Sequence, residues 1–147
     1  MRLRTILFFF VLSFISIFPL SIKAQTAPLA VEEVLQFMDE YTARFMKMDI
    51  DAYMDLFSKE AVENRMLPYA DIREAYEKMV AHTYSVDYKL EIDSIQTYTG
   101  SALVSGRYEL IQFSKNGAKK AVFHGDIQYR LIQENGSLKI RELNYGK

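Results

Sequence analysis

Between Val31 and Met48 the apolar residues fall in steps of three and four: Val31, Val34, Leu35, Met38, Tyr41, Phe45 and Met48. That spacing predicts one long amphipathic helix. Glu32, Glu33, Gln36, Asp39, Glu40, Arg44 and Lys47 fill its other face. Acids in the first turn and a lysine in the last suit the helix dipole. Phe37 departs from the stripe and widens it. The segment Lys47 to Asp51 predicts a stop, because Asp49 and Asp51 can each cap a new helix. Tyr53, Met54 and Phe57 predict a second helix of roughly two turns. Ala61-Val62 then begins an edge strand, and Glu63 to Ala70, with Pro68, reads as a loop. Asp71 followed by Glu74 has capping-box spacing. Ile72, Ala75, Tyr76, Met79 and Val80 predict a third helix ending near His82.

Beyond that helix the period drops from 3.6 to 2. Val86, Tyr88, Leu90 and Ile92 alternate with Asp87, Lys89, Glu91 and Asp93, the mark of a half-buried strand. Thr99-Gly100-Ser101 is a turn, and Ala102 to Phe113 a second long strand with a bulge at Gly106. Lys115-Asn116-Gly117-Ala118 predicts a hairpin, since Asn-Gly accepts the positive φ of a tight turn. Lys119 to Gln133 is a third strand, Glu134 to Ser137 a second Asn-Gly hairpin, and Leu138 to Tyr145 the last strand. Three helices followed by sequential hairpins make an α+β layout: an antiparallel sheet with helices on one face.

The chain has 147 residues, which suits one domain. Residues 1–24 read as a removable export signal. Arg2 and Arg4 start it, Ile6 to Leu20 is an apolar run broken by Ser13, Ser16 and Pro19, and Ala24 offers a cleavage site before Gln25. The domain is then 25–147, in the periplasm or outside the cell, without a membrane anchor. Removing Arg2, Arg4 and Lys23 leaves 15 bases against 19 acids. That acidic balance argues against nucleic acid and against an anionic membrane surface. The chain has no cysteine, so disulfides, thiol catalysis and thiolate metal sites are excluded. An exported domain of this size must rely on its core, burying about two-thirds of its unfolded surface.

The segment Phe45 to Val62, a long helix ending at a Met-Asp-Ile-Asp turn before a helix ending in Phe-Ser-Lys-Glu-Ala-Val, resembles a defining segment of the NTF2-like superfamily. Tyr129 to Ile140 resembles that superfamily's last hairpin. The resemblance spans the expected mature chain and implies a cone: three N-terminal helices packed on a strongly curved antiparallel sheet. SnoaL-like cyclases and ketosteroid isomerases share this fold with many exported domains, so the motifs define a fold rather than an activity.

Ketosteroid-isomerase-like members use a tyrosine on the long helix, a carboxylate base and a protonated acid. The resemblance implies Tyr41 for the tyrosine. The base position falls on Arg65, with Glu63 and Asn64 beside it, and the assisting acid on Gln128, with Asp126 two residues earlier. Arginine cannot abstract a proton at neutral pH, so that isomerase type is rejected unless a slipped register brings in Glu63. Tyr41 also reads simply as a core aromatic. His124, Asp126, Gln128 and Arg130 share one face of the third strand; Phe123, Ile127, Tyr129 and Leu131 share the other. Either the apolar face packs under the helices, or, as the resemblance implies, the polar face lines the cone and the apolar face pairs with a second subunit. The second arrangement gives a pocket of Tyr41, Phe45, Phe57, Arg65, His124, Asp126, Gln128, Arg141 and Tyr145. Burying so many polar groups requires partners or water.

His82 and His124 are the only histidines, and no ligand pair at helical spacing stands out, so no metal and no cofactor is expected. His82 reads as a helix C-terminal residue. The leading expectation is an exported domain, homodimeric through its sheet, that binds a small, partly apolar molecule without catalysis. The alternatives are a SnoaL-like lyase, isomerase or cyclase using Asp126 or His124 as acid–base group, and a dimerising interaction module.

Overall fold

A computed structural model describes residues 27–117 and 120–146. The expected export signal over residues 1–24 lies outside them, as do Ala118 of the first predicted hairpin and Lys119, the predicted start of the third strand. Three helices and six strands follow in the order α1 (Val31–Lys47), α2 (Ile50–Met54), β1 (Phe57–Glu63), β2 (Leu67–Pro68), α3 (Tyr69–His82), β3 (Thr83–Tyr98), β4 (Ser101–Ser114), β5 (Lys120–Glu134) and β6 (Ser137–Gly146). Among these described residues no helix is long and apolar enough to cross a membrane.

The buried stripe of α1 is Val34, Phe37, Met38, Tyr41 and Phe45. It is rotated slightly from the predicted one: Phe37 lies inside it, while Val31 and Leu35 are exposed. Met48 ends the helix in the left-handed region and its N–H returns to the Phe45 carbonyl. Asp49 caps α2, accepting from the Ala52 N–H at 3.2 Å, as its type predicts. The second helix is a single short turn and a half, and Phe57 belongs to β1 instead. At α3 the prediction needs correcting. The helix starts at Tyr69 after Pro68, which fixes the entry without a side-chain cap, so Asp71 is a first-turn acid and not the cap.

The six strands form one strongly curved sheet in the order β2-β1-β6-β5-β4-β3. β3 to β6 are the predicted antiparallel meander. The sheet is mixed, however, because β1 runs parallel to β6. β1 is therefore not an edge strand; the two-residue β2 covers its far side. The second Asn-Gly hairpin turns as expected, with positive φ at both Asn135 and Gly136, the geometry of a type I′ turn. α1 lies against β3 and α3 against β1 on the inner face. That face carries Tyr88, Ala102, Val104, Ile127, Tyr129, Leu131, Ile140 and Leu143 in the core.

The predicted bulge exists, but its extra residue is on the facing strand. Ile92 pairs with Gly106 and Ser94 with Ser105, leaving Asp93 without an opposite number. Gly106 lets the strands close at this kink. A Cβ there would lie 2.2 Å from the Glu91 carbonyl oxygen, a contact that only backbone movement relieves. We expect Gly106→Ala to lose about 2 kcal/mol or more in a urea denaturation series; an unchanged midpoint would show that the kink does not need the glycine.

Candidate functional site

Curvature leaves a hollow between the inner face of the sheet, α1 and α3. It is about 270 Å³ and is lined by Tyr41, Phe45, Glu63, Ala75, Tyr76, Met79, Tyr88, Tyr108, Leu110, Gln112, Phe123, Ile127 and Tyr145. The size is near the lower end for small-molecule sites, about 300 Å³. Its wall is a run of rings in mutual contact. Centroids of Tyr145 and Tyr108 are 6.0 Å apart, Tyr108 and Tyr88 6.4 Å, Tyr88 and Phe45 5.0 Å, and Phe45 and Tyr76 5.8 Å.

Glu63 is the one charged side chain in that wall. It ends β1, with only 2% of its surface exposed. The Tyr145 hydroxyl donates to its Oε1 at 2.5 Å. Its Oε2 is buried with no hydrogen-bond partner. Burial pushes the Glu63 carboxyl up from its usual range, and the Tyr145 hydrogen bond partly offsets this. Tyr145 is itself pushed up, first by burial and then by Glu63, so it remains a protonated donor at neutral pH. The chain just after Glu63 is unusual: Asn64 and Arg65 both have positive φ, at 49° and 60°. Consecutive left-handed residues that are not glycine need support from their surroundings. Here the Asn64 N–H donates to the Leu143 carbonyl at 2.8 Å, and Asn64 Oδ1 accepts from the Tyr145 N–H at 2.9 Å.

Behind the cavity the phenols satisfy one another. The Tyr53 hydroxyl lies 3.2 Å from that of Tyr41 and 3.0 Å from that of Tyr76. Tyr88 and Tyr129 hydroxyls are 3.2 Å apart. Burial first, and neighbouring phenols second (Glu63 in the case of Tyr76), push Tyr41, Tyr53, Tyr76 and Tyr129 well above the ordinary phenol range. All stay neutral at physiological pH.

The expected pocket residues divide. Tyr41, Phe45 and Tyr145 line the cavity. Phe57 is buried behind it, with its ring 5.2 Å from that of Tyr53. Arg65 is exposed in the turn between β1 and β2. Arg141 turns away to an ion pair with Glu60 at 3.0 Å. His124, Asp126 and Gln128 are exposed on the outer face of β5. Their placement in the cone is corrected: the inner side of β5 is the apolar one, with Ile127, Tyr129 and Leu131 buried. Strand alternation then puts the intervening residues in solvent. The first of the two arrangements read from the sequence is the one adopted. Glu63, only mentioned beside the base position, faces inward where Arg65 was expected. Tyr76 and Tyr88 were read only as packing residues, and Tyr108 only as part of a strand. The alternation Ala61, Glu63 along β1 is the signal that would have found the carboxylate, had β1 been read through to its end.

A second concavity, about 200 Å³, lies on the outer face and includes Gln96, Gln128, Arg130 and Glu142. It holds no buried charged group, and Arg130 already pairs with Glu142 at 3.1 Å. Among the described residues no three metal-ligating side chains converge.

No protein-family profile matches the sequence, and no curated protein matches it. Solved structures do. A ketosteroid isomerase-like protein from Erwinia carotovora atroseptica superposes with a TM-score of 0.65 at 18% identity, covering 78% of this chain and 92% of that one. An NTF2-like protein from Shewanella oneidensis MR-1 gives 0.61 at 16% identity, over 79% and 98%. An NTF2-like superfamily protein from Salmonella enterica gives 0.64 at 18%, over 78% and 88%. The fold is that of the NTF2-like superfamily.

The raised Glu63 carboxyl makes a stability prediction. Between its unfolded and folded pKa values the folded chain keeps a proton that the unfolded chain has released, so stability falls as pH rises through that window. An amide in place of the carboxyl has no such titration. We expect Glu63→Gln to melt above wild type at pH 8, by on the order of 1 kcal/mol, and the gap to close as the pH falls towards about 4. Identical melting curves across that range would mean that the carboxyl is not desolvated.

Proposed function

We propose that the chain is a small-molecule-binding domain that takes one compact, largely apolar molecule into the tyrosine-lined hollow and anchors it through Glu63. The observation that carries this reading is a buried carboxylate in the wall of a cavity, Glu63, with one oxygen left without a partner. A buried polar oxygen without a partner is costly, and a hydrogen-bond donor on a ligand relieves that cost. Ring walls supply apolar area with little loss of side-chain freedom. The fold is compatible with this role, since it hosts both binding modules and isomerase- or hydratase-type enzymes.

A second reading is enzymatic proton transfer, favoured by the same carboxyl. Its basicity is raised by burial, and a carboxylate tuned upward is suited to general base catalysis. In this reading Glu63 replaces His124 and Asp126 as the acid–base group, because those two lie outside the hollow. Export through residues 1–24 and self-association through the outer face of the sheet belong to the same proposal. Leu103, Phe113 and Val122 expose apolar surface there, which supports pairing. Sedimentation velocity on the mature domain tests that part: a dimer is expected, and a monomer at high micromolar concentration would remove it.

Ala75 lines the hollow from an exposed position on α3, so a large side chain can fill the mouth without disturbing the core. Saturation-transfer NMR with benzyl alcohol and phenol should show both probes receiving magnetisation from wild type and losing it in Ala75→Trp. Equal transfer in the filled variant would overturn the binding reading.

A further inference from the structure

The cavity has an electrostatic character that a merely apolar pocket lacks. No lysine, arginine or histidine lines it. Its single charge is Glu63, of which one oxygen accepts from a neutral phenol and the other has no partner. A buried carboxylate is costly unless it is paired with an opposite charge or neutralised, and the cavity wall provides no cation for this one. Much of the rest of the wall is aromatic, from Tyr145 through Tyr108, Tyr88 and Phe45 to Tyr76. Rings around a site attract a cation through their quadrupoles, by about 0.5 to 2 kcal/mol depending on desolvation. An acid and an aromatic enclosure together complement positive charge attached to a small hydrocarbon body.

Building on the small-molecule reading above, we propose that the hollow takes an organic cation, a protonated or quaternary amine, with its positive end beside the Glu63 carboxylate and its apolar part among the tyrosine rings. A neutral alcohol could satisfy the oxygen but would leave the charge unbalanced. A carboxylic acid in its ionised form would meet Glu63 as a like charge in a poorly screened site. A charge-assisted bond from an ammonium group is about twice as strong as a neutral one. The expected order is therefore amine, then alcohol, then carboxylate, on one and the same hydrocarbon frame.

Benzylamine, benzyl alcohol and benzoate supply that frame for a test by NMR titration of the mature domain at pH 7.5. Benzylamine should bind at least tenfold more tightly than benzyl alcohol, with benzoate weakest. Glu63→Gln, checked for its fold by near-ultraviolet circular dichroism, should bring amine and alcohol to within about twofold. A pH series on wild type repeats the test without a variant, using benzyltrimethylammonium, which does not titrate. Its affinity should fall as the solution is acidified through the Glu63 titration, while that of benzyl alcohol should not. The groups facing Glu63 are Tyr145 from β6 and Tyr76 from α3, both neutral throughout such a series. Equal affinities for amine and alcohol, or a preference that survives Glu63→Gln and acidification, would overturn the cation assignment and leave the binding reading standing. Failure of all three probes to perturb the cavity tyrosines would overturn both.

Discussion

One tyrosine holds the helical layer together. Tyr53, on the short α2, has less than 2% of its surface exposed, and its hydroxyl reaches Tyr41 of α1 on one side and Tyr76 of α3 on the other. The three helices therefore meet at one chain of hydroxyl groups. Phenol burial obliges this arrangement, because a hydroxyl taken from water without a partner costs several times what its hydrogen bond contributes net. The rings extend the same contact to the sheet: Tyr41 lies 6.1 Å from Tyr88 on β3 and 5.1 Å from Tyr129 on β5. A helix as short as α2 has little stability of its own. Its position is set by these contacts and by the Asp49 cap.

The same phenol core borders the cavity. The hydroxyl chain continues from Tyr41 to Tyr88 and Tyr129 on the sheet, whose own hydroxyls are 3.2 Å apart. Of these phenols Tyr41, Tyr76 and Tyr88 line the hollow. After burial, the charge of Glu63 is the next cause of the raised Tyr76 pKa, so the carboxylate and this phenol sense each other across the site. The Glu63 oxygen that lacks a donor gives the hollow a polarity. Water could answer it, but a molecule with an apolar body fits the ring wall better.

Legibility in the sequence followed period and turn chemistry. The second Asn-Gly hairpin, the Asp49 cap and the alternation of Val86 to Ile92 are local signals, and each led to the correct element. The parallel pairing of β1 with β6 is not local. It joins Phe57 to Ile140 and Glu63 to Leu143, and no spacing within either segment announces it. Much of the site reading failed for that reason. Reading Glu63 to Ala70 as loop placed Glu63 outside any strand, so the alternation that turns it inward went unused. On β5 the polar residues His124, Asp126 and Gln128 invited a pocket, whereas Ile127, Tyr129 and Leu131 opposite them had the stronger claim on the core, roughly 2 kcal/mol for each large side chain. Burying apolar area outweighed the pattern carried over from resemblance. The tyrosines were visible as aromatics, but periodicity does not distinguish a ring that fills a core from one that borders a hollow.

The parallel pair also explains why the carboxylate is held so firmly where it is. β1 stops at Glu63, and the chain reverses into β2 through two consecutive left-handed residues, Asn64 and Arg65. Asparagine tolerates that region better than most residues and arginine does not, so the turn is strained at Arg65. β6 absorbs the strain by gripping Asn64 at both its backbone and its side chain. The same grip positions Tyr145, whose N–H is bound by Asn64 and whose hydroxyl binds Glu63. Carboxylate, asparagine and tyrosine thus form a closed loop of contacts between β1 and β6. A core position serving packing alone would be better filled by leucine, which needs no hydrogen bond and no strained turn beside it. Retaining an acid there, with one oxygen held and the other bare, suits a group whose partner arrives from outside the chain.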